Sequence, residues 1–358
     1  MVLRPDEGGA FRHVADLSRG VAEAGHEVAV CGPLAHRADD LAVEVIPLAM
    51  TRAIEPRADL ASLRGLARIV RSWRPDLIHA HGSKGSVYAR AGRVAYPRVP
   101  VLYTPHGYPF AGSLPVPARR RYKQIERLLS KLSTLVICVC EAERRLALSV
   151  GSRRTTVVHN GTEPDPPRQV ATSIEGLHNG GPVVLAVTGL RPGKGAETLV
   201  ESWPAVLERR PDAVLAIAGE GPERERLTEM IAAPGIEGSV HLLGNIEPAE
   251  LALWGADLFV SPSWSESFPY AVLEAMAVGL PTVATDVGGT GEAVADGVTG
   301  QLVPPRDAGE LAIAIADLLS EEAMLRAMGE AARRRHLERF TVQRMVENTL
   351  AVYDGVRP

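Results

Sequence analysis

Glu266 and Glu274 lie in Ser265-Glu-Ser-Phe-Pro-Tyr-Ala-Val-Leu-Glu-Ala-Met-Ala-Val-Gly-Leu-Pro281, with seven residues between them. Asp257-Leu-Phe-Val-Ser261 before them reads as a short buried strand, Pro262 to Pro269 as a turn, and Tyr270 to Ala277 as a helix. That order puts Glu266 at the carboxyl end of a strand and Glu274 early in a helix. In an open α/β sheet this edge is where ligands bind, and a helix start there offers amides and a positive dipole end to an anion. Two acids beside an anion repel it, unless the ligand also carries vicinal hydroxyls. An ionised carboxylate only accepts hydrogen bonds, and its two oxygens suit the two protons of a cis-diol. A nucleotide-sugar carries both features. Taken alone, such a pair reads as a capping acid and a solvated helix acid.

The flanking residues change that balance. The segment resembles the signature of retaining glycosyltransferases of the large nucleotide-sugar family with two facing Rossmann-like domains, known as the GT-B fold, glycosyltransferase family 4 or group 1 type. The family pattern is a Glu, seven residues, a second Glu, a small-residue helix end and Gly-(Leu/Ile)-Pro. Here these are Glu266, Glu274, Ala275-Met-Ala-Val-Gly279 and Leu280-Pro281, followed in family order by Thr282-Val-Ala-Thr-Asp-Val-Gly-Gly289, Gly291-Glu292 and Asp296-Gly-Val-Thr-Gly300. The resemblance covers nearly the full length and is looser in the first half. It implies a metal-independent, retaining transfer of a sugar from a nucleoside-diphosphate donor to an acceptor hydroxyl, with no cofactor. The rival readings are a sugar-nucleotide epimerase on the same fold and a degenerate, non-catalytic nucleotide-sugar-binding protein.

The remaining candidate residues sit in turns after strands. Val184-Leu-Ala-Val-Thr-Gly-Leu-Arg-Pro-Gly-Lys-Gly-Ala-Glu-Thr-Leu199 reads as strand, Gly-rich turn and helix. Lys194 in that turn can neutralise a pyrophosphate, and Gly193 and Gly195 permit close backbone approach. The family places an Arg five residues before this Lys. Here Gly189 stands there, and Arg191 follows two residues later. The resemblance implies catalytic roles for Glu266, Lys194, Arg191 and His106. It implies donor binding by Glu274, Phe268, Pro269, Tyr270, Gly9, Gly8 and Ile246, with Glu274 on the ribose diol and His106 facing the donor sugar. His106 ends Tyr103-Thr-Pro-His-Gly107. Pro75-Asp-Leu-Ile-His-Ala-His-Gly82 has the same His-Gly ending, and His79 and His81 there read as structural. No Asp-x-Asp pair of the metal-binding transferase type stands at a strand end.

The elements that must position these residues are legible as well. Short Val/Ile/Leu runs alternate with helix-length periodic segments: Val28–Cys31, Val43–Ile46, Leu77–His79, Val101–Thr104, Leu135–Val139 and Thr156–Val158, then Val183–Val187, Val214–Ala218, Val240–Leu242, Leu258–Val260 and Thr282–Ala284. Unbroken apolar strands between helices indicate parallel sheets covered on both faces. The pattern pauses in the Pro/Gly-rich stretch 166–181. The expected organisation is therefore an α/β fold of two Rossmann-like domains with a cleft between them. Residues 1–165 would form an acceptor-side domain, 166–181 a linker, 182–340 the donor domain, and 341–358 a helix crossing back to the first domain. The turn Gly8-Gly9 should follow the first, central strand, yet only Val2-Leu3 is left to form it. A central strand that short is unusual, so the natural chain is expected to start several residues earlier, or this one to have lost its first strand.

Bulk properties narrow the class. A chain of 358 residues is long enough for two cores. A formal charge of −4 and 4% aromatic residues give no footprint for nucleic acid. Cys31, Cys138 and Cys140 lie in apolar strand-like runs and read as reduced core thiols of a cytoplasmic protein. No metal spacing surrounds them. No segment has the roughly 20 apolar residues of a membrane span, and the start lacks signal-peptide features. Arg119, Arg120, Arg121, Lys123 and Arg127 make one helix strongly basic. That helix is either a solvated face or a dock on an anionic membrane, where it would reach a lipid-linked acceptor.

Overall fold

The structure is a computed structural model that describes all residues except 5–7, 52, 113, 178–179 and 357–358. The chain divides into two units, Met1–Gly161 with Val342–Pro358, and Thr162–Thr341. Each is built on a parallel sheet whose strands are joined through helices.

In the first unit the strands are β1 (Val2–Leu3), β2 (Ala29–Gly32), β3 (Glu44–Pro47), β4 (Ile78–His81), β5 (Val101–Thr104), β6 (Leu135–Cys138) and β7 (Thr155–Val157). Their spatial order is β3-β2-β1-β4-β5-β6-β7. Although only two residues long, β1 is central and fully buried, with Val2 opposite both Cys31 and Ala80 and Leu3 opposite His81. The Met1 amino group donates to the Ala29 carbonyl and extends this pairing. The helix Gly8–Glu23 then turns its apolar stripe, Phe11, Val14, Leu17 and Val21, into the unit. The C-terminal helix Val342–Asp354 packs on it. A Cβ on Gly20 would lie 2.5 Å from a Val346 methyl, so glycine sets the closeness of these two helices. Cys31, Cys138 and Cys140 are buried and in no disulfide among the described residues.

The second unit contains β8 (Val183–Val187), β9 (Val214–Ala218), β10 (Val240–Gly244), β11 (Leu258–Ser261), β12 (Thr282–Thr285) and β13 (Gly300–Val303), in the order β10-β9-β8-β11-β12-β13. Its core gathers Leu185's neighbours Val184 and Ala186 with Leu199, Trp203, Leu215, Ile217, Val260 and Ile315, all but fully buried. Strand β13 is not among the apolar runs of the sequence because it opens on Gly300 and Gln301. Gly300 is required by the register, since a Cβ there would stand 2.0 Å from the Thr282 carbonyl oxygen on β12. The stretch 166–181 contains a short helix, Thr172–Glu175, with Ile174 fully buried. Trp254 donates its indole N–H to the Pro167 carbonyl at 2.9 Å, and the Ala171 amide donates to Leu251 at 2.8 Å. This stretch therefore lies against the second unit.

In both sheets the strand order reverses direction once, between β1 and β4 in the first and between β8 and β11 in the second. A crevice opens at the carboxyl ends of the strands at such a reversal. Among the described residues no helix is long and apolar enough to cross a membrane.

Candidate functional site

In the second unit the loops after β8 and β11, the two strands flanking the reversal, bring Lys194 and Glu266 together. Lys194 Nζ donates to Glu266 Oε1 at 2.5 Å, and the Ser263 hydroxyl donates to the same oxygen at 2.8 Å. The pair is neither buried nor free in solvent, with the Lys194 side chain 23% and the Glu266 side chain 16% exposed. Backbone contacts that only glycine allows hold the two loops in place. Gly193 and Gly195 have φ of +88° and +74°, and a Cβ on Gly195 would lie 2.0 Å from the Pro262 carbonyl oxygen. The Trp264 amide donates to the Gly193 carbonyl at 2.9 Å, and its indole donates to Thr198 Oγ1 at 3.1 Å. On the other side, Gly288 has φ of +58° and presses on the Glu266 carbonyl, while the Gly289 amide donates to Ser267 at 2.7 Å. Ser263, which no sequence signal distinguished, is fixed in turn by Thr285, whose hydroxyl donates to its carbonyl.

The helix Tyr270–Ala277 begins where Pro269 ends the turn. Its Ala, Leu, Glu and Met residues are strong helix formers. It stops at Gly279, whose φ of +79° lets the Leu280 amide return to the Ala275 carbonyl at 2.9 Å. Glu274 is the fifth helical residue and only 4% exposed, an unusual depth for a carboxylate. Phe268 is 3% exposed and packs its ring on Phe340, with centroids 5.5 Å apart. Its side chain therefore belongs to the core, and its backbone is what it offers the turn.

Neighbouring loops complete this edge. The Leu190 amide donates to the Glu220 carbonyl, and the Gly219 amide donates to Gly244. Ile246 follows β10 and is half-buried. Arg191 is exposed, and its side chain folds back so that Nε lies 3.6 Å from where a Gly189 Cβ would be.

The first unit holds a separate cluster at its own reversal. Gly8 and Gly9 form the first turn of the helix Gly8–Glu23 rather than a turn ahead of it, and His13 lies one turn further on. His81 ends β4, and His106 follows β5. His81 Nδ1 and His106 Nε2 are 3.1 Å apart. His106 has φ of +54° and Gly107 +101°, a left-handed turn that costs energy at a non-glycine residue. Glu143 holds it: its two oxygens accept from the Gly107 amide at 2.6 Å and the Val139 amide at 2.8 Å. Burial pushes this carboxyl up to about 7, against the downward pull of the two amides. His79 is the structural residue of the group. Its nitrogens lie 2.7 Å from the Tyr353 hydroxyl and 2.8 Å from Thr104 Oγ1. Desolvation keeps His79, His81 and His106 neutral, and it lowers His13 to about 4. Neither His13 nor Glu143 was singled out from the sequence. Each lies inside a helix, where spacing alone does not distinguish it.

Two family profiles match the chain, "Glycosyltransferase Family 4" over residues 7–166 and "Glycosyl transferases group 1" over residues 168–335. The chain belongs to this glycosyltransferase group. It is similar to the glycogen synthase of Mycobacterium tuberculosis (strain ATCC 25618 / H37Rv), with 29% identity over 97% of this chain and 91% of the relative. It is 32% identical to a D-inositol 3-phosphate glycosyltransferase of Geodermatophilus obscurus, over 78% of this chain and 66% of that protein. Among solved structures, a glycosyltransferase from Rickettsia africae superposes with a TM-score of 0.84 at 20% identity, covering 99% of this chain and 97% of the other. HepE of Anabaena, solved with UDP and glucose, gives 0.82 at 21% identity, covering 99% and 98%. These two structural likenesses establish the GT-B fold.

Proposed function

We propose that this glycosyltransferase moves a sugar from a nucleoside-diphosphate donor to an acceptor hydroxyl, with retention at the anomeric carbon and without a metal ion. The observation that carries the reading is the Lys194–Glu266 pair at the strand-order reversal, next to the start of the helix that bears buried Glu274. Lys194 supplies a point charge where a diphosphate would leave. Arg191 supplies a second, and its folded-back side chain supports its standing in for an arginine at position 189. The first amides of the helix Tyr270–Ala277 add dipole charge to the same edge. Glu274 takes the ribose diol, and Glu266 orients sugar hydroxyls and offsets positive charge on the ring. Phe268, Pro269, Tyr270 and Ile246 line the donor through their backbone. His106, whose imidazole is neutral, is assigned to a sugar hydroxyl, and Gly8 and Gly9 to the donor. In the reaction the glycosidic bond to the diphosphate breaks and its electrons go to the phosphate oxygen. The acceptor oxygen bonds to the same face of the anomeric carbon, and its proton passes to the departing phosphate. The UDP and glucose named for the Anabaena structure agree with such a donor.

The test is a thermal-shift panel of UDP-, GDP-, ADP- and TDP-sugars without divalent cation, with Glu274→Ala as control. One donor should raise the midpoint in the wild type, since ligand stabilises the state it binds, and should fail in the variant. Equal shifts in both proteins would remove Glu274 from the donor site.

A membrane acceptor is favoured by one feature. On the helix Val116–Leu129, Arg120, Arg121 and Arg127 are exposed beside Leu128, which is 75% exposed. Arg119 and Lys123 are partly engaged, the first donating to the Phe110 carbonyl at 3.0 Å and the second lying 5.9 Å from the Phe110 ring. We assign this face to an anionic bilayer surface, where a lipid-linked acceptor would sit. Flotation should recover the protein with anionic vesicles and not with neutral ones. Charge reversal at Arg120, Arg121 and Arg127 should abolish recovery. Negligible binding to both vesicle types would remove the membrane reading.

A further inference from the structure

We propose that His13, His81 and His106 form a binding site for one divalent transition-metal ion of the zinc class, and that filling it silences transfer. One ring nitrogen from each of the three lies within 4.8 Å of the other two. Three imidazoles around a tetrahedral ion, each at about 2.0–2.1 Å, place their nitrogens roughly 3.3 Å apart. His81 and His106 already meet at 3.1 Å, so only His13 must move inward, closing a gap of at most about 1.5 Å by side-chain rotation. The His13 and His106 ring centroids are 4.6 Å apart, and those of His13 and His81 are 5.4 Å apart.

The surroundings are those of a ligand set. His13 Nδ1 lies 3.1 Å from Asn160 Oδ1. The amide oxygen holds the proton on Nδ1 and turns the Nε2 lone pair loose for a ligand, as outer-shell carbonyls do at metal centres. His81 is fully buried, and its Nε2 has no hydrogen-bond partner among the described residues. With the ring proton on Nε2, the Nδ1 lone pair is left facing His106 Nε2 and the ion. All three rings are held neutral by burial, the form that ligates. His79, by contrast, has both nitrogens engaged and is not available. His106 is the half-buried member, so entry and a fourth coordination position lie on its side.

An all-imidazole set suits zinc, copper or nickel and disfavours magnesium and calcium, which take oxygen ligands. The site therefore differs in chemistry from a diphosphate-bound magnesium. Its inhibitory character rests on the reading that His106 serves the sugar. A metal ion on the ring takes the lone pair or fixes the orientation that the sugar hydroxyl requires.

The experiment is calorimetric titration of ZnCl2 into the full chain after chelator treatment, with no nucleotide present and with MgCl2 as a parallel arm. One zinc per chain should bind, and magnesium should give no heat. Affinity should fall at least tenfold in His13→Gln and in His106→Gln and stay unchanged in His36→Ala, an exposed histidine outside the cluster. Where a glutamine variant loses its fold, Co2+ added to the wild type reads the site directly. The intense visible bands of four- or five-coordinate cobalt support it, and the weak bands of octahedral cobalt overturn it. Absence of stoichiometric zinc, or equal affinity in all three variants, also overturns the site. In a transfer assay, zinc should inhibit and chelator should restore the rate. Zinc bound at the histidines with transfer unchanged would overturn the silencing. A protein that never transfers sugar would overturn the proposed function, while the calorimetry would still report on the metal site.

Discussion

Lys194→Ala is expected to lower kcat for sugar transfer about 100- to 1,000-fold, the range for removing one group aimed at developing charge. The reason lies in what the lysine meets before and during the reaction. At rest its ammonium is held by Glu266 at 2.5 Å, in a turn whose path Gly193 and Gly195 set. On the proposed reading, negative charge grows on the leaving diphosphate as the glycosidic bond breaks, and a cation fixed there lowers the barrier without first having to reorganise. Because the charge is greatest in the transition state, the loss should fall mainly on kcat. Lys194→Arg should recover part of it, since charge is kept while the compact ammonium is replaced by a planar fork. Steady-state kinetics of both variants provides the check. A change confined to KM would mean that Lys194 only binds the donor. An unchanged kcat/KM would remove it from the site.

The second large effect concerns the fold that carries the histidines. Glu126→Ala should destabilise the first unit by about 3–5 kcal/mol, the cost of leaving one charge of a buried pair alone. Arg90 is 1% exposed and receives Glu126 in a two-pronged contact, Nη1 to Oε2 at 2.8 Å and Nη2 to Oε1 at 3.0 Å. The same guanidinium donates to Ser86 and lies 4.1 Å from the centre of the Tyr103 ring. Without Glu126 the arginine stays charged at any accessible pH, with only Ser86 and an aromatic face for company. At roughly 2–4 °C per kcal/mol for a unit of this size, the midpoint should drop by about 10 °C. Thermal denaturation followed by circular dichroism measures it. The double replacement Arg90→Met with Glu126→Leu should recover most of the loss, because an apolar pair of similar volume avoids the desolvation altogether. A shift below about 2 °C in Glu126→Ala would mean that water reaches the guanidinium. Glu126 belongs to the same helix as the exposed Arg120, Arg121 and Arg127. One face of this basic helix is thus committed to the core and the opposite face to solvent.

Much of this was legible along the chain. Parallel strands covered by helices are rich in apolar residues, so eleven of them, the edge strands β3, β7 and β10 included, stand out as Val/Ile/Leu runs. The helix Tyr270–Ala277 coincides with its sequence-read bounds because proline, good helix formers and glycine mark both ends locally. Strand β13 escaped because it opens on a glycine and a glutamine, so that its place beside β12 leaves no apolar run in its own residues. The resemblance names Phe268 for the donor, and only the tertiary structure shows that its ring packs on Phe340, which lies far along the chain, leaving its backbone to the turn.

What the amino-acid order determined by itself was therefore the class of element at most places and the two-sheet α/β plan. Periodicity, turn residues and helix ends are interactions between near neighbours and leave local marks. Tertiary structure decided which side chains meet. It set Lys194 against Glu266 across 72 positions, closed Arg90 on Glu126, and gathered His13, His81 and His106 at one sheet edge. Such contacts depend on strand order and on backbone approaches that only glycines permit, and no spacing along a chain encodes either.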